Sequence, residues 1–137
     1  MEPTYVYKAS VVRVVDGDTL DLFVDLGFRT WQKIRVRLYG VDTPETYGVK
    51  KESAEYEAGM AAKKFVEQWL GLVIEESNEQ YCHIILNPSP VTIRSHDGKE
   101  LGQGKYGRWI VEVMREDDDC SLNEALLDEG HAVAVRY

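Results

Sequence analysis

Three short segments carry residues able to do chemistry together. Arg35-Val36-Arg37-Leu38-Tyr39-Gly40-Val41-Asp42-Thr43-Pro44-Glu45 sets two arginines on one face of an extended stretch, then two carboxylates either side of a proline. Upstream lies Asp16-Gly17-Asp18-Thr19, and downstream Lys105-Tyr106-Gly107-Arg108. Carboxylates suit a hard cation, and the planar fork of arginine suits phosphate oxygens. The combination points to metal-assisted hydrolysis of a phosphodiester.

Asp18 and Asp42 are the expected metal carboxylates, with the Thr43 backbone carbonyl completing part of the shell. Two carboxylates held close repel, and a divalent cation turns that repulsion into attraction. Glu45, just past the rigid Pro44, is placed to take a proton from an attacking water. Arg37 and Arg108 are expected to stabilise charge on the phosphorus. Lys105 adds positive charge, and Tyr106 offers a flat surface on which a base can stack. Singly, each feature has an ordinary explanation: Asp16-Gly17-Asp18 as a hairpin turn, Asp42-Thr43-Pro44 as a capped turn, Arg108 as a strand-end ion pair. Arg35 is assigned no functional role. His83, His96 and His131 are scattered and expected to be structural or superficial.

The elements that must position these groups follow from periodicity. Tyr5 to Val15 is β-branched and aromatic, and Thr19 to Leu26 alternates Leu20, Leu22, Val24 and Leu26. Trp31 to Val41 is expected to be one strand, with Ile34, Val36 and Leu38 on one face and Lys33, Arg35, Arg37 and Tyr39 on the other. Short turns make these three an antiparallel meander, curled into a small barrel. A helix is expected from Ser53 to Leu70, with Ser53 as N-cap, Gly71 as its stop, and an apolar stripe of Ala54, Ala58, Ala61, Phe65 and Trp69. Gly59 inside that helix is read as permitting close approach. An added strand or hairpin is expected around residues 72–90, then strands at Val91–Arg94 and Arg108–Met114. A second helix opens on the Ser121/Glu124 capping box and ends at Gly130, and a final strand falls within Ala132–Tyr137.

At 137 residues and 44% hydrophobic content, one folded domain over 1–137 is expected rather than a disordered chain. No apolar run reaches membrane-spanning length, so no membrane association is expected. Met1 to Tyr5 lacks secretory character, which gives the expectation of a cytoplasmic protein. Two cysteines make neither a disulfide framework nor, with three histidines, a convincing zinc set. The net charge of -8 opposes nucleic-acid binding in general and predicts weak, salt-sensitive affinity.

These segments, with Leu122-Asn123-Glu124-Ala125-Leu126 through Gly130, resemble the staphylococcal nuclease (thermonuclease) family, in family order and across nearly the whole chain. The resemblance implies an α+β fold: a five-stranded OB-fold β-barrel with packed helices. It implies calcium-dependent cleavage of single- or double-stranded DNA or RNA to 3′-phosphate ends; calcium is expected ahead of magnesium as the cofactor, and a monomer is expected. Asp18, Asp42 and Thr43 match the calcium ligands, Glu45 the proposed general base, and Arg37 and Arg108 the phosphate-binding pair. Lys105 and Tyr106 match positions lining the nucleotide site, while Asn123 matches a buried residue tying the second helix to the barrel. The chain departs from the pattern by its longer 72–90 connection, its early end after Arg136 and its acidic balance. These suggest an intracellular relative, of the kind phages or mobile elements carry. The competing class is a non-catalytic nucleic-acid- or protein-binding module on the same barrel.

Overall fold

Strongly β-branched stretches at either end of the chain form the barrel, and two helices close it. The computed structural model describes residues 5–46, 50, 53–71, 74–76, 83–85, 90–95, 103–104, 108–115 and 120–135. β1 (Val6–Asp16), β2 (Thr19–Asp25) and β3 (Trp31–Leu38) make the expected antiparallel meander. β1 also pairs with β7 (Pro90–Ser95), and β7 with β9 (Arg108–Met114). Parallel pairing of β3 with β9, Val36 opposite Trp109 and Leu38 opposite Val111, closes five strands into a barrel. A two-residue β8 (Gln103–Gly104) adds to β9.

The inward positions are those that alternation marks. Leu20 and Leu22 of β2, Val36 and Leu38 of β3, Ile93 of β7 and Val111 of β9 are all buried. β1 carries a register shift between Val11 and Arg13, so Val12 bulges and Arg13 lands opposite Asp21 on the outer face. Such a bulge bends the strand, which barrel closure needs.

The third strand is shorter than the sequence suggests. Gly40 takes φ +76, a conformation L-residues avoid, and the chain turns there. Val41–Asp42 becomes a separate strand, β4, paired with β10 (Val133–Ala134) rather than continuing β3. The expected hairpin insertion is present as β5 (Ile74–Glu76) against β6 (His83–Ile85).

α1 (Ala54–Trp69) starts on Ser53, whose hydroxyl accepts from Tyr56 N at 3.1 Å, and Gly71 follows it at φ +67. Its buried face is not the expected stripe. Gly59, Ala62 and Val66 are buried, with Leu70 just beyond, whereas Ala54, Ala58 and Ala61 face water. Alanine tolerates either environment, so it marks a helix face poorly; the tight contacts with the barrel select the glycine instead. α2 (Leu122–Asp128) is capped by Ser121, which accepts from Glu124 N at 3.1 Å. Asn123 ties it down: its Oδ1 accepts from Val113 N at 3.2 Å, and its Nδ2 donates to Tyr39 O at 2.8 Å and Val111 O at 3.2 Å. Among the described residues, no helix is long and apolar enough to cross a membrane.

Candidate active site

The β1–β2 turn brings Asp18 inward because Gly17 lets two elements approach it. A Cβ on Gly17 would lie 2.8 Å from Ala62 Cβ of α1 and 3.0 Å from both Thr43 Cγ2 and Thr43 Oγ1. Asp18 is 6% exposed, and Thr43 N donates to its Oδ2 at 3.2 Å. Thr19 Oγ1 donates to its other oxygen at 3.0 Å. Leu38 N bonds the Asp18 carbonyl at 2.9 Å, joining the turn to the end of β3.

Arg37, on the outer face of β3, reaches both acids with one nitrogen. Its Nη2 is 3.3 Å from Asp42 Oδ1 and 4.0 Å from Asp18 Oδ2. Positive charge between two carboxylates offsets their mutual repulsion. Asp42 is the open member of the group, its side chain 48% exposed. The Nε of Arg37 is buried with no hydrogen-bond partner among the described residues. So is Oγ1 of Thr43. Buried donors without partners are uncommon and costly in a folded protein.

Asp42 also opens onto a cleft of about 390 Å³, bounded by Thr43, Glu45, Glu55, His131 and Val133. Glu45 is exposed on its wall. The segment carrying Glu45 lies against α1 where Gly59 has no side chain, and Thr46 donates its hydroxyl to Asp16 at the end of β1. Thus Asp18, Arg37, Asp42 and Thr43 gather around one point, with Glu45 beside them. Arg35, given no role, pairs with Asp21 at 2.7 and 3.2 Å. Arg108 has its backbone in β9, next to Trp109, the partner of Val36; Lys105 and Tyr106 lie outside the described residues.

Several contributors went unrecognised in the sequence. Asp16 passes for a turn residue but anchors Thr46. His131, its ring 4.9 Å from that of Phe65, lines the cleft together with Glu55. The only local signal for His131 is its place after the helix-ending Gly130.

Among the described residues, no group of three or more His, Cys, Asp or Glu side chains gathers as a metal centre. The donor set nevertheless suits a hard cation: two carboxylates converge on one guanidinium nitrogen, and the nearby Thr43 hydroxyl is buried without a partner. Oxygen-rich sites of this kind complete their shell with backbone oxygens and water.

The model of the staphylococcal nuclease homologue family matches residues 35–137. The chain belongs to that family. It is 33% identical to a thermonuclease of Staphylococcus intermedius over 93% of its own length, and 37% identical to Protein ParB of Escherichia coli over 95%. An uncharacterized protein of Methanocaldococcus jannaschii is 28% identical over 92%. The chain spans 58–59% of the length of these curated relatives. The family's barrel-and-helix fold is the one described above.

Proposed function

We propose that the protein is a calcium-dependent phosphodiesterase that hydrolyses DNA or RNA by in-line attack of water, leaving 3′-phosphate ends. The observation that carries this reading is the sharing of one Arg37 nitrogen by Asp18 and Asp42 at the edge of an open cleft. Few purely structural needs explain two acids converging on one arginine nitrogen where Asp42 opens onto a cleft.

Asp18 and Asp42, with the Thr43 carbonyl, would hold the cation, calcium ahead of magnesium; when bound it supplies polarisation of water and of the phosphate. Glu45, exposed on the cleft wall, accepts the proton of the attacking water. Arg37 binds the phosphate through the fork whose Nε has no protein partner among the described residues, and neutralises charge as it builds on phosphorus. Arg108 is the second such cation, and Lys105 and Tyr106 flank the nucleotide. Membership of a nuclease family and the 33% identity to a thermonuclease support this assignment.

The test is hydrolysis of labelled single- and double-stranded DNA and RNA by pure protein, with calcium, magnesium or chelator. Calcium-restored cleavage is expected. Arg37→Ala and Glu45→Ala should each lose at least about 100-fold in turnover with the fold intact. Calcium should also raise the unfolding midpoint, by about 2.7 kcal/mol of stability at 100 times its dissociation constant. Full activity in excess chelator, or wild-type rates in both variants, would sink the assignment.

A further inference from the structure

An acidic nuclease needs some means of holding a polyanion, and the outer face of the barrel offers one. Outward positions recur along the β2–β3 hairpin in the register Thr19–Arg37, Asp21–Arg35, Phe23–Lys33 and Asp25–Trp31. β1 adds Lys8 opposite Asp25 and Arg13 opposite Asp21. Leaving Arg37 to the active site, the described residues here place four cations, Lys8, Arg13, Lys33 and Arg35, against two acids, Asp21 and Asp25. Asp21 is itself buried beneath Arg35, whose side chain is 51% exposed, and Lys8 and Lys33 are exposed while Arg13 and Asp25 are only half-buried, so positive charge predominates where solvent meets this face. A local excess of positive charge in a chain of net charge -8 is an informative departure.

The same hairpin exposes its aromatic residues. Phe23 and Trp31 are 42% and 48% exposed and stack on one another at 5.4 Å, with 11° between their planes. At the tip, Phe28 is fully exposed and adjoins Arg29, both with positive φ. Apolar rings turned outward beside cations form the combination that binds unpaired nucleic acid, phosphates on the charges and bases on the rings. Alternate residues of β3 are about 6.6 Å apart, so Arg35 and Lys33 continue the line of Arg37 at the repeat of an extended strand of phosphates.

We propose that this face is a track for single-stranded nucleic acid, running from Arg37 through Arg35 and Lys33 to the Phe23–Trp31 stack and the hairpin tip. The inference rests on the nuclease reading for its direction, since Arg37 is the end at which cleavage occurs. It goes beyond that reading by assigning the grip on substrate to residues remote from the reacting phosphate. An unpaired strand is the occupant because base-paired nucleotides have no free faces to lay on the rings.

The experiment measures fluorescence anisotropy of a labelled dinucleotide and a labelled single-stranded dodecanucleotide in chelator, then cleavage of both with calcium. The double variant Phe23→Ala/Trp31→Ala is expected to weaken dodecanucleotide binding about tenfold or more, with dinucleotide binding and cleavage unchanged. Lys33→Glu, a change at an exposed lysine that leaves folding intact, should weaken the dodecanucleotide likewise. Lys33→Ala should lower the slope of log affinity against log salt by about 0.7. Wild-type dodecanucleotide affinity in both the double variant and Lys33→Glu overturns the track. So does equal loss for the dinucleotide, or a blunt duplex bound as tightly as the single strand through Trp31. Length-dependent binding through Trp31 without any cleavage would keep the track and remove the nuclease reading. Dodecanucleotide binding and cleavage both indifferent to Trp31 and Lys33 would do the reverse.

Discussion

Replacing Gly59 with alanine sets two effects of opposite sign against each other inside α1. On helix propensity alone, alanine stabilises by about 1 kcal/mol. The surroundings oppose it. A Cβ at this position would sit 2.7 Å from the Pro44 carbonyl oxygen, 2.8 Å from Thr46 Cγ2 and 3.0 Å from the Glu45 carbonyl oxygen. Two of these are backbone atoms, which cannot swing aside as the end of a long side chain can. Either α1 or residues 44–46 must move by several tenths of an ångström, and overpacking of this kind costs about 1–3 kcal/mol. The net expectation is a loss of about 0–2 kcal/mol rather than a gain.

The effect on rate should exceed the effect on stability. Residues 43–46 are pinned from the far side by Thr43 N on Asp18 and by the Thr46 hydroxyl on Asp16. A push from the helix therefore tilts the segment that carries Glu45. Misplacement by 1 Å can cost about 100-fold in rate, so the smaller shift here predicts about tenfold. Urea unfolding gives the stability, and turnover on single-stranded DNA with calcium gives the rate. Ala61→Gly is the control, exposed on the same helix; it should lose about 1 kcal/mol and keep its turnover. A Gly59→Ala protein more stable than its parent and equally fast would show that contact with α1 does not hold the Glu45 segment.

Thr43→Val keeps the shape of a buried side chain whose hydroxyl has no partner among the described residues. The metal-free protein should gain about 1 kcal/mol in urea unfolding; a loss would mean that the hydroxyl is satisfied. Asn123→Ala removes a side chain that serves Val113 N, Tyr39 O and Val111 O at once. Stability should fall by about 3 kcal/mol, while turnover per folded molecule below the transition stays unchanged. A loss under about 1 kcal/mol would show that α2 is held mainly by Leu122 and Leu126 instead.

What could be read from the chain was what depends on near neighbours. Alternation of Leu20, Leu22 and Val24 gave the buried face of β2 because side chains on a strand alternate regardless of what lies beyond. Ser53 and Ser121 as caps are equally local: each hydroxyl bonds a backbone amide three residues on. The acids and arginines were recognisable by type and order, and the structure does bring Asp18, Arg37 and Asp42 together. Errors arose where a partner distant in sequence decides. Trp31 to Val41 reads as one strand, yet Val41 falls outside the even-numbered inward alternation of β3: Gly40 turns the chain, and β10, over ninety positions later, pairs with Val41 and Asp42.

The helix shows the same limit at an interface. Counting Ala54, Ala58 and Ala61 as apolar selects one face, whereas the barrel accepts the face where side chains are smallest against the 44–46 segment and the β1–β2 turn. Gly59 and Ala62 are therefore not incidental to a helix defined by Phe65 and Trp69. They set how near α1 comes to Gly17 and Pro44, and so how near Thr43 comes to Asp18. A helix carrying larger residues at both positions could retain its pattern, caps and length and still hold the two ends of the site apart. The arrangement of the candidate site thus depends on two positions that carry no reactive group, and no reading confined to reactive residue types would have found them.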